Sequence, residues 1–239
     1  MSLDRLFGLQ DKCALIIGAT PIGVATQSLF IEAGATCTLS DPGSDPEAIA
    51  NAVNQFVAEY GKIDVLVYAA TQTGTYPLSD TTLDQWDGMQ DYNVRGAFVA
   101  VRQAVRHMLD SGGGAIVAVS TMGSVHPVLM GNAAYGASKA GLNAMIRAVA
   151  LDENCHNIRA NTILPGAVPV GDPEASAVRL GGPAMQPGRL LMGIGSCEDV
   201  AAGILYLASP AARFMTGQVL TLDGLEFYRT LGFNFFEIS

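Results

Sequence analysis

"CALIIGATPIGVATQSLFIEAGATCTLS", residues 13–40, decides the fold. It opens on an apolar run, turns through glycine, continues at helical spacing to Gly34, a plausible C′ residue, and closes on a second short β-prone run. A strand, a helix and a second strand in this order form a parallel βαβ unit. The pattern recurs downstream in "DVLVYAA" (64–70), "GAIVAVS" (114–120), "IRANTIL" (158–164) and "GQVLTLDG" (217–224). Between them, "PEAIANAVNQFVAEYG" starts with Pro46 at N1 and stops at Gly61, and Thr82 with Gln85 fits a capping box ahead of another helix. The expectation is an α/β, three-layer, doubly wound parallel sheet.

At 239 residues and 49% apolar content the chain has material for one substantial core, so residues 1–239 are read as one domain. No run approaches the roughly 18 apolar residues of a membrane span, and the charged start "MSLDRLFGLQDK" lacks a signal peptide's apolar centre. A soluble, cytoplasmic protein is expected. The net charge of -9 argues against nucleic acid and anionic membranes as partners. Cys13, Cys37, Cys155 and Cys197, and likewise His107, His126 and His156, lack metal-ligand spacing, so no metal is expected.

Glycine and proline crowd the 165–195 segment, which reads either as a substrate lid or as a plain surface connection. Arg179 and Arg189 within it are candidate anion contacts or ordinary solvated side chains. The 225–239 tail carries Phe227, Tyr228, Phe233, Phe235 and Phe236. Such a tail either crosses a subunit interface or folds back over its own chain.

"YGASK" (135–139), "NVRGAF" (93–98), "IRANTILPG" (158–166) and "MTGQVLTLDG" (215–224), in this order and nearly end to end, resemble the short-chain dehydrogenase/reductase family. The resemblance implies a Rossmann-type fold, a dimer or tetramer, and a nicotinamide cofactor, NAD, at the carboxyl ends of the strands. It makes Tyr135 the general acid/base that exchanges a proton with a substrate hydroxyl or carbonyl. Lys139, one helical turn later, is to lower the tyrosine pKa and hold the ribose. Asn93 is to support a proton-relay water. Pro165 and Gly166 match the turn beside the nicotinamide. The family's serine position falls on Met122, leaving Ser120 or Thr121 to face the site, with Ser124 a weaker candidate.

Several positions depart from that pattern. The family's first turn runs Gly-x-x-x-Gly-x-Gly, whereas Gly18 and Gly23 alone remain here, one residue is missing, and Pro21 removes an N–H. Asp41, eighteen residues after Gly23, suits a ribose contact that selects NAD, or an Asx turn before Pro42. The chain then runs from "PGSDP" directly into a helix matching the family's fourth, omitting an edge strand and its helix. Tyr68, Ala69, Ala70 and Thr71 stand where Asn-Asn-Ala-Gly is usual, which sets a bulky Tyr68 near the cofactor's path. Val170 replaces a threonine.

Three functions follow from the resemblance. The first is a subunit of an alcohol or ketone dehydrogenase, hydroxyacyl-CoA substrates included, whose own NAD site is degraded. It would be a pseudoenzyme that partners an active homologous subunit. The second is a self-sufficient NAD-dependent alcohol dehydrogenase or ketone reductase using Tyr135 and Lys139, with a small-molecule substrate and a homo-oligomeric state. The third is a cofactor-free relative resembling halohydrin dehalogenases.

Overall fold

The computed structural model describes residues 2–126, 130–168 and 194–224. The lid segment from 169 to 193, with Val170, Arg179 and Arg189, and the aromatic tail from 225 lie outside the described residues.

All six expected strands form: β1 (Cys13–Ile17), β2 (Thr36–Ser40), β3 (Val65–Tyr68), β4 (Gly114–Val119), β5 (Ile158–Pro165) and β6 (Val219–Leu222). They make one sheet of order β2-β1-β3-β4-β5-β6 in which every pair is parallel. Parallel strands need crossovers on the sheet faces. These are α2 (Pro21–Glu32), α3 (Pro46–Tyr60), α5 (Gly96–Ser111), α6 (Ala133–Glu153) and α7 (Cys197–Ala208); α1 (Leu3–Phe7) precedes β1, and α4 (Leu83–Gln90) precedes α5 in the connection from β3 to β4.

Side-chain alternation along the strands sorts the core into two layers. Leu15, Ile17, Leu66 and Tyr68 pack with Phe56 of α3, Val101 of α5 and Leu142 of α6. Ala14, Ile16, Val65 and Val67 pack with Phe30 of α2 and Ile204 of α7. The apolar runs of β1 and β3 are buried at every position because both faces are covered.

β2 is the outermost strand among the described residues, and five residues connect it to α3, as the missing edge element requires. Losing an outer strand breaks one ladder and leaves the centre intact. Asp45 caps α3, accepting from Glu47 N and Ala48 N, while Asp41 is exposed and accepts no hydrogen bond among the described residues, so the Asx turn is not formed. The capping box of Thr82 and Gln85 is present, and Gly34 adopts φ 93° just beyond α2. Between α4 and α5 the chain widens into a π-turn at Asp91–Arg95, with Asn93 fully buried in it. π-turns insert one residue per turn and re-aim a side chain.

Candidate functional site

Gly18, Ala70 and Ser120 stand at or just beyond the carboxyl ends of β1, β3 and β4, the side of the sheet on which the family's crevice opens. Gly18 adopts φ 111°, and a Cβ there would sit 2.2 Å from Ala70 N. A Cβ on Gly23 would sit 2.2 Å from Gly18 O. Both surviving glycines are therefore demanded by backbone packing alone. The glycine that is missing is the one a diphosphate would need.

What replaces it is a self-satisfied helix start. Thr20 is the N-cap of α2, and its Oγ1 accepts from Gly23 N at 3.1 Å. Val24 N donates to Thr20 O at 2.9 Å, and Pro21, at N1, has no N–H. Of the first N–H groups of α2 only that of Ile22 is left for an anion. A helix N-terminus binds phosphate through several free N–H groups, so this turn fits a diphosphate poorly. Thr20 was not singled out by its sequence context, although a threonine directly before a proline at N1 is a capping signature.

On the other side of the crevice, the first turns of α6 present the candidate catalytic side chains. Tyr135 is half-buried, and Lys139, i+4 from it, is 1% exposed with Nζ 5.9 Å from the Tyr135 ring centroid. Nζ donates to Val119 O at 2.9 Å. Burial pushes the Lys139 pKa down to about 7. Burial also raises the Tyr135 pKa, and the group that counters this is the Thr71 hydroxyl, not the lysine. Lys139 Nζ thus lies over the Tyr135 ring while bonded to a strand carbonyl.

Asn93 joins these elements. Its Nδ2 donates to Gln72 O and to Ser138 Oγ, each at 2.9 Å, and its Oδ1 accepts from Gln72 N at 2.9 Å. Ser138 donates in turn to Tyr135 O at 2.8 Å. Both amide hydrogens of Asn93 are spent on the scaffold, leaving none for a relay water. Ser138 carried no sequence signal beyond the small size of the residues around it.

The two hydroxyl candidates separate cleanly. Ser120 is 4% exposed and turns inward, 3.4 Å from Lys139 O and 3.3 Å from Ser124 Oγ. Ser124 donates to Thr121 O at 2.5 Å and accepts from Asn143 Nδ2 at 2.8 Å. Thr121 Oγ1 accepts from Gly123 N at 3.4 Å, and its proton has no acceptor among the described residues. Of the two, Thr121 is the hydroxyl with a proton to offer.

Tyr68 corrects a further expectation. Its side chain points into the layer of α3 and α5, fully buried, and its hydroxyl donates to Tyr92 O at 2.5 Å. Burial holds its pKa well above the ordinary phenol range. A Cβ on Gly96 would strike that hydroxyl, so Gly96 makes room for the ring. Tyr68 therefore points away from the carboxyl-end face of the sheet. Pro165 ends β5, and Gly166 N donates to Leu222 O at 2.9 Å, which anchors the far wall.

Among the described residues no helix is long and apolar enough to cross a membrane, and no three His, Cys, Asp or Glu side chains cluster as metal ligands. Residues 43–224 match the family model described as enoyl-(acyl carrier protein) reductase. The 3-oxoacyl-[acyl-carrier-protein] reductase of Thermotoga maritima is 32% identical, with 90% of this chain and 98% of that protein covered. The NAD-dependent glycerol dehydrogenase of Listeria innocua is 31% identical, over 92% of this chain and 96% of that protein. A short-chain type dehydrogenase/reductase from Mycobacterium marinum superposes with TM-score 0.84 at 28% identity, covering 95% of this chain and 99% of that one. A 7α-hydroxysteroid dehydrogenase complexed with NADH and 7-oxo glycochenodeoxycholic acid superposes with TM-score 0.83 at 25% identity, covering 94% and 97%. With a six-stranded parallel Rossmann-type sheet, Tyr135 and Lys139 one turn apart in α6, and a family match over most of its length, the chain belongs to the short-chain dehydrogenase/reductase family of oxidoreductases.

Proposed function

We propose that this chain is a subunit of an alcohol or ketone dehydrogenase that binds NAD weakly itself and serves as the structural partner of a homologous, nucleotide-competent subunit. The observation that carries this reading is the closed start of α2, where Thr20 Oγ1 and Pro21 consume what a diphosphate would use. Asp41, exposed just after β2, is the residue assigned a ribose contact in this reading. A ribose contact on an exposed carboxylate does not replace the diphosphate's anchoring, which is the larger electrostatic share of dinucleotide binding.

The partner reading is supported by a groove of about 340 Å³ between α5 and α6, lined by Phe98, Val105, Leu109, Met145 and Val149. Phe98 and Leu109 are 47% and 42% exposed, and both line that groove. Arg102 and Arg106 flank the groove from α5, with Asp152 and Glu153 at its α6 end. A homologous subunit carries an equivalent helix pair, and opposed packing sets arginines against carboxylates.

Calorimetric titration of the purified chain with NAD and NADH tests the reading. No binding tighter than about 1 mM is expected, and micromolar binding overturns it in favour of a self-sufficient dehydrogenase. Replacing Pro21 by glycine and inserting one residue after Ala19 restores free N–H groups, and affinity should then rise at least about tenfold, the equivalent of one charge-assisted hydrogen bond. For the interface, the double change Arg102→Glu, Arg106→Glu is expected to release the homologous subunit from the co-purified complex, so that the light-scattering mass falls to that of one chain. An unchanged mass would remove the groove from the interface.

A further inference from the structure

Thr71 follows β3 and has a buried hydroxyl oxygen with no hydrogen-bond partner of normal geometry. Buried hydroxyls are ordinarily paired, because leaving one unpaired forfeits its hydration without return. The group it lies beside is the Tyr135 phenol.

That neighbourhood is fixed from both sides. Ala70 N donates to Ile17 O at 2.9 Å, and Gln72 is clamped by Asn93 through two bonds of 2.9 Å, so Thr71 is held between two pinned residues. The same Asn93 amide reaches Ser138, which bonds Tyr135 O. The backbones of Thr71 and Tyr135 are thus tied through one asparagine and one serine, and the buried Thr71 hydroxyl lies beside the Tyr135 phenol with no hydrogen bond between them.

We propose that Thr71 is a positioning residue for Tyr135, its hydroxyl held ready to donate a hydrogen bond to the phenol oxygen once that oxygen has passed its proton to a bound carbonyl or alkoxide. The Tyr135 O–H bond breaks as an O–H bond forms on the ligand oxygen, and Thr71 keeps its own proton throughout. The need arises because Lys139 Nζ is bonded to Val119 O and does not reach forward to the phenol. A hydroxyl donor that tightens as charge develops serves in its place. The proposal rests on Tyr135 being the proton-exchanging group and makes no use of the dinucleotide.

The test places 3-fluorotyrosine at position 135 of the full chain, where the fluorine brings phenol ionisation into a pH range the fold tolerates, and follows it by fluorine NMR without any nucleotide. Thr71→Val, which exchanges the hydroxyl for a methyl, is expected to raise the midpoint by about one pH unit, the size of one hydrogen bond to a charged oxygen. Thr71→Ser is expected to return it to within a few tenths of a unit, with Thr71→Ala standing in should the valine chain not fold. Equal midpoints for threonine and valine, or a serine chain that titrates like valine, overturn the proposal. Because turnover and NAD are absent from the measurement, its failure leaves the weak-binding reading untouched, and micromolar NAD binding leaves these midpoints untouched.

Discussion

Lys139→Met raises the unfolding free energy by about 3 kcal/mol at pH 7, and the gain disappears as the pH rises toward 10.5. The folded chain holds Lys139 at a pKa of about 7 against an ordinary 10.5. Between those values the unfolded chain carries a proton that the folded chain lacks, so the stability of the lysine form climbs with pH through that window. Below pH 7 both states are charged and the burial penalty is complete, about 1.4 kcal/mol for each unit of displacement. From that is subtracted what methionine gives up, the bond from Nζ to Val119 O. Urea denaturation of both chains at pH 7 and pH 10 measures it. A methionine chain less stable than the parent at pH 7 would show that the ammonium is well solvated where it sits.

The second large effect falls on Gly18. Gly18→Val forces a β-branched residue to φ 111° and puts its Cβ 2.2 Å from the Ala70 nitrogen. Neither side can yield. Gly18 N donates to Ser40 O at 2.7 Å, and Ala69 N and Ala70 N both donate to Ile17 O. Backbone strain and overpacking together cost roughly 4 kcal/mol, enough to leave much of a marginally stable domain unfolded at 37 °C. Differential scanning calorimetry reads the loss, and a melting temperature within about 2 °C of the parent would refute the packing account of this glycine. Were Gly18 retained for phosphate contact alone, valine would be tolerated by the fold.

What was legible in the sequence is local chemistry. The six strands announce themselves because each is short, apolar and bounded by turn residues. The ends of α2 and α3 are marked by Gly34, Pro46 and Gly61, where φ or a missing N–H permits few alternatives. The Thr82 and Gln85 box is readable for the same reason. What was not legible depends on direction. Tyr68 shares a sheet face with Leu66, so period-two alternation sends its ring into the core and away from the crevice. The π-turn at Asp91–Arg95 leaves no compositional trace, yet it aims Asn93 inward. The choice between Ser120 and Thr121 turned on which hydroxyl a strand end buries, and the bond from Lys139 to a carbonyl twenty residues earlier is invisible to any local pattern.

The turn between β1 and α2 lies over one layer of the core, while α5 and α6 belong to the other, with the whole sheet between them. A change at that turn is therefore separated from the outer faces of α5 and α6 by the full thickness of the sheet. If the proposed partnership holds, this separation lets the turn diverge without disturbing the helices that face a neighbour.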